Sequence, residues 1–103
     1  MKSRVIKIGD KNIGDSNLCY TIAEAGANHD SNVEKAFKLI DAAVESKSDS
    51  IKFQTYTAKK LVTKNAPKYW EDGIKNETQY DVFKKLDLLS NDNWKSIFEY
   101  GKK

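Results

Sequence analysis

The chain has little of what staples, breaks or spans. Its 103 residues hold one cysteine, one proline, one methionine and one histidine. A lone Cys19 cannot close an internal disulfide, which excludes a disulfide-stapled secreted scaffold. No apolar run approaches the roughly 20 residues that cross a bilayer, and the opening residues do not read as a signal peptide. An aqueous, reducing compartment, the cytoplasm, is therefore expected, with no membrane partner. Charge of one sign is also scarce. Residues 1–58 carry eight basic and eight acidic side chains, and residues 59–103 carry ten and seven. The excess of +3 is interleaved with acids and forms no basic stripe, so nucleic acid is not an expected partner. Hydrophobic residues make up 39% and charged residues 32%, enough of each for a packed core and a solvated surface.

The pattern along the chain is that of an α/β protein. Arg4-Val5-Ile6-Lys7-Ile8 is β-rich and runs into the turn formers Gly9-Asp10-Lys11-Asn12, so a short hairpin returning through Ile13-Gly14 is predicted. Leu18 to Glu24 reads as a mostly apolar strand of a sheet covered on both faces. Gly26 and Asn28 then break regular structure. Ser31 and Glu34 have the spacing of a capping box, and Val33, Ala36, Phe37, Ile40, Ala43 and Val44 form one helical stripe. The periodicity ends at Ser46-Lys47-Ser48 without the usual glycine. Ser50 to Thr55 is a second strand, which makes a βαβ unit with parallel strands.

Residues 56–77 read as a long loop, of the length that usually serves function or covers something. A helix follows from near Thr78, presenting Tyr80, Phe83 and Leu86. Another has Ser90 as N-cap, a Leu89–Trp94 staple, Ile97 and Phe98 on its apolar face, and Gly101 as its stop. Cys19, Tyr69, Trp70 and Trp94 are expected to be packing residues.

Two parallel strands leave open edges and uncovered faces, so such a sheet is expected to continue. The fold class is α/β, the N-terminal portion of a (β/α)8 TIM barrel preceded by a short β-hairpin. Residues 1–103 would supply its first units, out of the roughly 250 residues of a complete barrel. If Ile51 and Phe53 pack beneath the helix, Lys52 and Gln54 face the barrel interior, and Glu24 closes the first strand at the end where such barrels carry their chemistry. On pattern alone, a Glu24–Lys52 pair across adjacent strands is most simply a buried structural ion pair. Gln54 could equally bond within the core.

Three segments carry a resemblance. Thr21-Ile22-Ala23-Glu24-Ala25-Gly26-Ala27-Asn28-His29 resembles the IAEIGxNH segment of the sialic-acid synthases, which make N-acetylneuraminic, legionaminic and pseudaminic acids. Lys38-Leu39-Ile40-Asp41-Ala42-Ala43 is similar to the family's KLIDAA, and Ile51-Lys52-Phe53-Gln54-Thr55 to its VKFQT. Leu61-Val62-Thr63 and Ala66-Pro67 continue the match. Asp30-Ser31 and Ser46 to Asp49 stand where the family has glycines, departures that bear on the loops rather than on the fold.

The resemblance implies condensation of phosphoenolpyruvate with an N-acetylated hexosamine such as N-acetylmannosamine, giving a nonulosonic acid and phosphate. It implies Glu24 as the catalytic carboxylate and Lys52, Gln54 and Asn28 as substrate-binding residues. It also implies a divalent metal (Mn2+ or Mg2+) in the full-length enzyme, held by histidines of later strands, and no metal site within these residues. His29 would shape its loop. A C-terminal antifreeze-like domain, absent here, and a homodimer complete the family's picture, and the 103 residues alone are expected to be inactive. The alternatives are another phosphate-handling βα-barrel aldolase or synthase, or a short non-catalytic interaction module.

Overall fold

The computed structural model describes residues 4–103. Strands β1 (Val5–Ile8) and β2 (Lys11–Gly14) form an antiparallel hairpin with Ile8 opposite Lys11. Gly9, at φ 60°, takes the first of the two turn positions, where a side chain would be strained. Gly14 closes the hairpin at φ 128°, and a Cβ there would sit 2.0 Å from the Arg4 carbonyl oxygen. Only glycine fits. The hairpin's apolar residues are not covered: Val5, Ile6 and Ile8 are all exposed.

Strand β3 (Ile22–Gly26), helix α1 (Val33–Glu45) and strand β4 (Ser50–Phe53) make the predicted βαβ unit, with β3 and β4 parallel. The boundaries differ from the sequence reading. Leu18 to Thr21 lie outside β3, which runs on through Gly26, and β4 ends at Phe53 rather than Thr55. Continuous burial fails too, because Leu18 and Ile22 are exposed. Cys19 is exposed and not a core residue.

Helix α1 is capped by Asn32, whose side chain accepts the Lys35 N–H at 3.0 Å, and not by Ser31. Ser31 sits at φ 55°, following Asp30 at φ 51°. Two left-handed residues in a row turn the Ser31 hydroxyl away from the helix start. It donates instead to the Lys85 carbonyl (2.9 Å) and accepts the Leu88 N–H (3.2 Å). At the other end, the Lys47 N–H reaches the Val44 carbonyl and the Ser48 N–H reaches that of Ala43, a complete Schellman closure. Lys47 adopts the left-handed geometry (φ 62°) usually left to glycine. The missing glycines therefore cost local strain of about 1 kcal/mol each and no change of path.

Helices α2 (Ala58–Leu61), α3 (Gln79–Leu86) and α4 (Asn91–Gly101) follow. Thr78 and Asp81 form a capping box for α3, and Ser90 and Asn93 form one for α4. Gly101 is the last residue of α4 rather than a stop beyond it.

The core lies where α1 and α4 meet over β4. Ala36, Ile40 and Ile97 are buried at its centre, with Phe37, Ile51, Phe53, Leu89 and Trp94 packed around them. Phe37 stacks on Tyr100 (4.3 Å between centroids), and the Tyr100 hydroxyl donates to Asp41 at 2.6 Å. Val44 and Phe98, assigned to this seam by periodicity, are exposed on its margins. The radius of gyration is 17.5 Å, against about 13 Å for a compact domain of this size. The apolar material is not gathered into one sphere.

Candidate functional site

The parallel register sets Glu24 directly opposite Lys52. A bulge between Glu24 and Gly26 then shifts the pairing by one, so that Gly26 lies opposite Phe53. Ala25 is buried within the bulge. The Gln54 N–H donates to the Gly26 carbonyl at 3.0 Å, which carries the chain of β4 past the end of the ladder.

Side chains follow from this backbone. Ile51 and Phe53 turn to the α1–α4 core, so Lys52 points away from it. The Lys52 ammonium donates to Glu24 Oε2 at 2.9 Å. Both side chains are more than half exposed within these residues. In water such a pair contributes under about 1 kcal/mol, so stability gives little reason for it.

Gln54 joins them at Gly26. A Cβ on Gly26 would lie 3.4 Å from Glu24 Oε1 and 3.6 Å from Gln54 Oε1. Carboxylate and carboxamide thus flank one bare backbone position, held left-handed at φ 54°. A carboxylate, an ammonium and a carboxamide share the C-terminal end of two parallel strands. Such a set can bind an anion, transfer or hold a proton, and both donate and accept toward a neutral polar group.

Asn28 is exposed in the loop after β3, with its N–H on the Ala25 carbonyl, and no hydrogen bond ties its side chain to the other three. His29 is fully buried. Its Nδ1 accepts the Ser31 N–H at 2.8 Å, which leaves the proton on Nε2. The ring lies edge-on to Trp94 (5.3 Å) and 6.2 Å from Phe53. Nε2 is buried without a hydrogen-bond partner. Burial holds the imidazole below its usual pKa, against smaller opposing effects of the Gln54 backbone and the Asp30 charge. His29 therefore shapes the loop from within, as the sequence reading anticipated.

Sequence reasoning missed the organiser of the 56–77 loop. Lys68, with only 9% of its side chain exposed, reaches Asp72 (2.8 Å), Glu77 (3.3 Å) and the Ile74 carbonyl (2.9 Å). Glu77 also takes Lys85 at 2.5 Å from α3. Lys68, the Ile74 N–H and the Trp70 indole together hold the Asp72 carboxyl down at about 2. Trp70 packs near Phe83, but Tyr69, expected to pack as well, is 84% exposed.

A second concavity, of about 580 Å3, lies at the opposite ends of the strands, between the hairpin and Asp49. Asp49 accepts the Thr21 N–H (2.8 Å) and faces Lys11 (3.6 Å), a tether that ties the hairpin to the sheet. No reactive set gathers there.

Among the described residues no helix is long and apolar enough to cross a membrane. The fold and site are those of a mixed α/β chain with a polar cluster at the C-terminal ends of parallel strands. Residues 39–103 match the NeuB family, and the chain belongs to that family. It is 40% identical over 89 residues to an N,N'-diacetyllegionaminic acid synthase of Legionella pneumophila, covering 84% of this chain and 25% of that protein. A spore coat polysaccharide biosynthesis protein of Bacillus subtilis is 33% identical over 82 residues, covering 80% of this chain and 22% of its own. The crystal structure of an N-acetylneuraminic acid (sialic acid) synthetase from Leptospira borgpetersenii, in complex with citrate, superposes with a TM-score of 0.72 at 25% identity. The alignment covers 97% of this chain and 31% of that one. The chain thus spans about a quarter of the length of the curated relatives it matches.

Proposed function

We propose that these residues are the first βα units of a TIM-barrel sialic-acid synthase, which condenses phosphoenolpyruvate with an N-acetylated hexosamine to a nonulosonic acid and phosphate. The observation that carries the reading is the meeting of Glu24, Lys52 and Gln54 at Gly26, in a chain that belongs to the NeuB family. In the proposed reaction the enol C3 attacks the aldehyde of the open-chain sugar, water adds at C2, and phosphate leaves.

Phosphoenolpyruvate is a compact anion, and Lys52 is the cation free to meet its phosphate or carboxylate once Glu24 yields it. Glu24, next to the same site, orients sugar and water or moves the proton. Gln54 serves a sugar hydroxyl or amide with both halves of its carboxamide. Asn28 contacts substrate from the exposed loop.

A divalent ion belongs to the proposed enzyme, but the residues present do not fit one. Nδ1 of His29 is already an acceptor and Nε2 is buried away from the site. Among the described residues no three of His, Cys, Asp and Glu group as ligands. Its ligands are therefore assigned to the remainder of the complete protein, as are a C-terminal antifreeze-like domain and the homodimer contacts. The 103 residues alone would not condense the substrates.

The test uses the complete protein that carries these residues. Phosphate release should require both phosphoenolpyruvate and the amino sugar. Lys52→Ala should raise KM for phosphoenolpyruvate roughly tenfold while the sugar KM stays within about twofold. Equal effects on both constants would count against the role of Lys52, and no release with any N-acetylated hexosamine would remove the reading.

A further inference from the structure

His29 and Ser31, on the loop after β3, make a linked set of contacts that the proposed reaction leaves unused. The Ser31 N–H donates to His29 Nδ1 at 2.8 Å, and the Ser31 hydroxyl spans the Lys85 carbonyl (2.9 Å) and the Leu88 N–H (3.2 Å). One edge of the imidazole is thereby pinned to the junction of α3 and α4. The other edge carries the proton, on Nε2, and is buried without a partner. A buried donor without an acceptor is uncommon in a folded chain and calls for a reason.

The surroundings of that edge supply one. The rings of His29, Phe53 and Trp94 form a group with centroids 5.3, 5.9 and 6.2 Å apart. Gln54 is the next residue after Phe53, and its N–H is already held by the Gly26 carbonyl at 3.0 Å. The Gln54 main chain favours the protonated ring, as a carbonyl facing an imidazole N–H does, yet it falls outside hydrogen-bond geometry with Nε2. Contacts of this kind tighten when a ligand settles in the site.

We propose that His29 is a positioning residue for Gln54: when the amino sugar binds, its Nε2–H closes on the Gln54 main-chain carbonyl and steadies the carboxamide from behind. The inference rests on the proposed function, in which Gln54 meets the sugar. The ring stands with Phe53 on the core side of β4, so it touches neither substrate and acts through Gln54. With N–H and carbonyl both held, only the Gln54 side-chain torsions remain for the sugar to order. Lys52 points to the other face of the strand, so the phosphoenolpyruvate end is untouched.

The test uses the complete enzyme and two substitutions that divide the ring. His29→Gln keeps a donor near the position of Nε2. His29→Asn keeps an acceptor near that of Nδ1 and presents no donor to Gln54. His29→Asn should raise the sugar KM about tenfold and the phosphoenolpyruvate KM less than about twofold, whereas His29→Gln should stay within about threefold of wild type on both. Equal sugar KM values for the two variants, or equal changes in both constants, would mean that the ring only packs the loop. A second measurement needs no variant. In wild-type enzyme with isotope-labelled histidine and bound phosphoenolpyruvate, the Nε2–H proton is identified by its proximity to the Trp94 ring. It should move downfield on adding the alditol of N-acetylmannosamine, which lacks the aldehyde and cannot condense. An unmoved proton overturns the positioning role and leaves the proposed function standing. Absence of phosphate release by wild type with any N-acetylated hexosamine removes the function and the inference together.

Discussion

The two halves of the chain beyond the hairpin are held by different forces. Around α1, β4 and α4, apolar side chains do the holding: Ala36, Ile40 and Ile97 are buried, and His29, Phe53 and Trp94 close the end nearest the site. The segment from Tyr56 to Leu86 has one fully buried hydrophobic, Ala58, and is drawn together by Lys68, Asp72, Glu77 and Lys85. The site lies on the seam, with Glu24 and Lys52 on the apolar half and Gln54 where the chain crosses into the charged one. An apolar seam is not weakened by ionic screening and responds to pH only where it buries a titratable group, whereas a charged loop depends on both.

The largest difference should come from cavity formation. Ile97→Ala removes a buried side chain from the α1–α4 contact and should cost about 2–4 kcal/mol in urea unfolding. Lys68→Ala should leave global unfolding nearly unchanged, yet speed proteolytic cleavage within residues 64–77 and shift Trp70 emission. An unaltered cleavage rate would mean that the loop is held by something other than its charges.

Acid should separate the halves further. The His29 pKa is lowered on folding, so the unfolded chain binds that proton more readily. Stability is then complete above the ordinary value near 6.5 and declines as pH falls below it. Asp72 and Glu77 shift in the same direction, in a lower pH range: their folded pKa values lie below the unfolded ones. The Asp72 contribution disappears as pH falls toward about 2, and that of Glu77 is likewise lost as pH falls below its ordinary value near 4.5. Lys68 is raised, so its share persists until pH rises through its folded value, above 10.5. Near pH 5 the apolar half should already be weakened while Trp70, observed in a Trp94→Phe background, still reports an ordered loop. The reverse order would invert the comparison. The smallest effect belongs to the site itself: Glu24→Gln should move the melting free energy by no more than about 0.5 kcal/mol, because the pair it breaks is solvated.

Periodicity and turn chemistry made the βαβ unit, the hairpin and the Ser90 cap readable, because each is written in residues a few positions apart. The helix start was misread at Ser31 because the capping-box spacing takes no account of backbone sign. Two successive left-handed residues move the cap to Asn32. Alternation correctly put Ile51 and Phe53 on the helix side of the sheet and Lys52 on the other face, but it could not see the bulge at Ala25, which brings Gln54 beside Gly26. The Lys68 cluster was illegible for another reason. Its partners stand four, nine and seventeen positions along, the last through Glu77, and no local pattern links them. The resemblance singled out Glu24, Lys52 and Gln54 by motif, where pattern alone favoured a structural ion pair and left Gln54 open between ligand and core.

The bare position at Gly26 makes the spacing of the reactive groups adjustable. A methyl placed there would act as a shim between acid and amide, set against both oxygens at ordinary contact distance while the backbone bears the strain of its left-handed turn. Evolution or an engineer could thus retune how these two groups grip a ligand without replacing either, through one carbon on a residue that itself carries no chemistry.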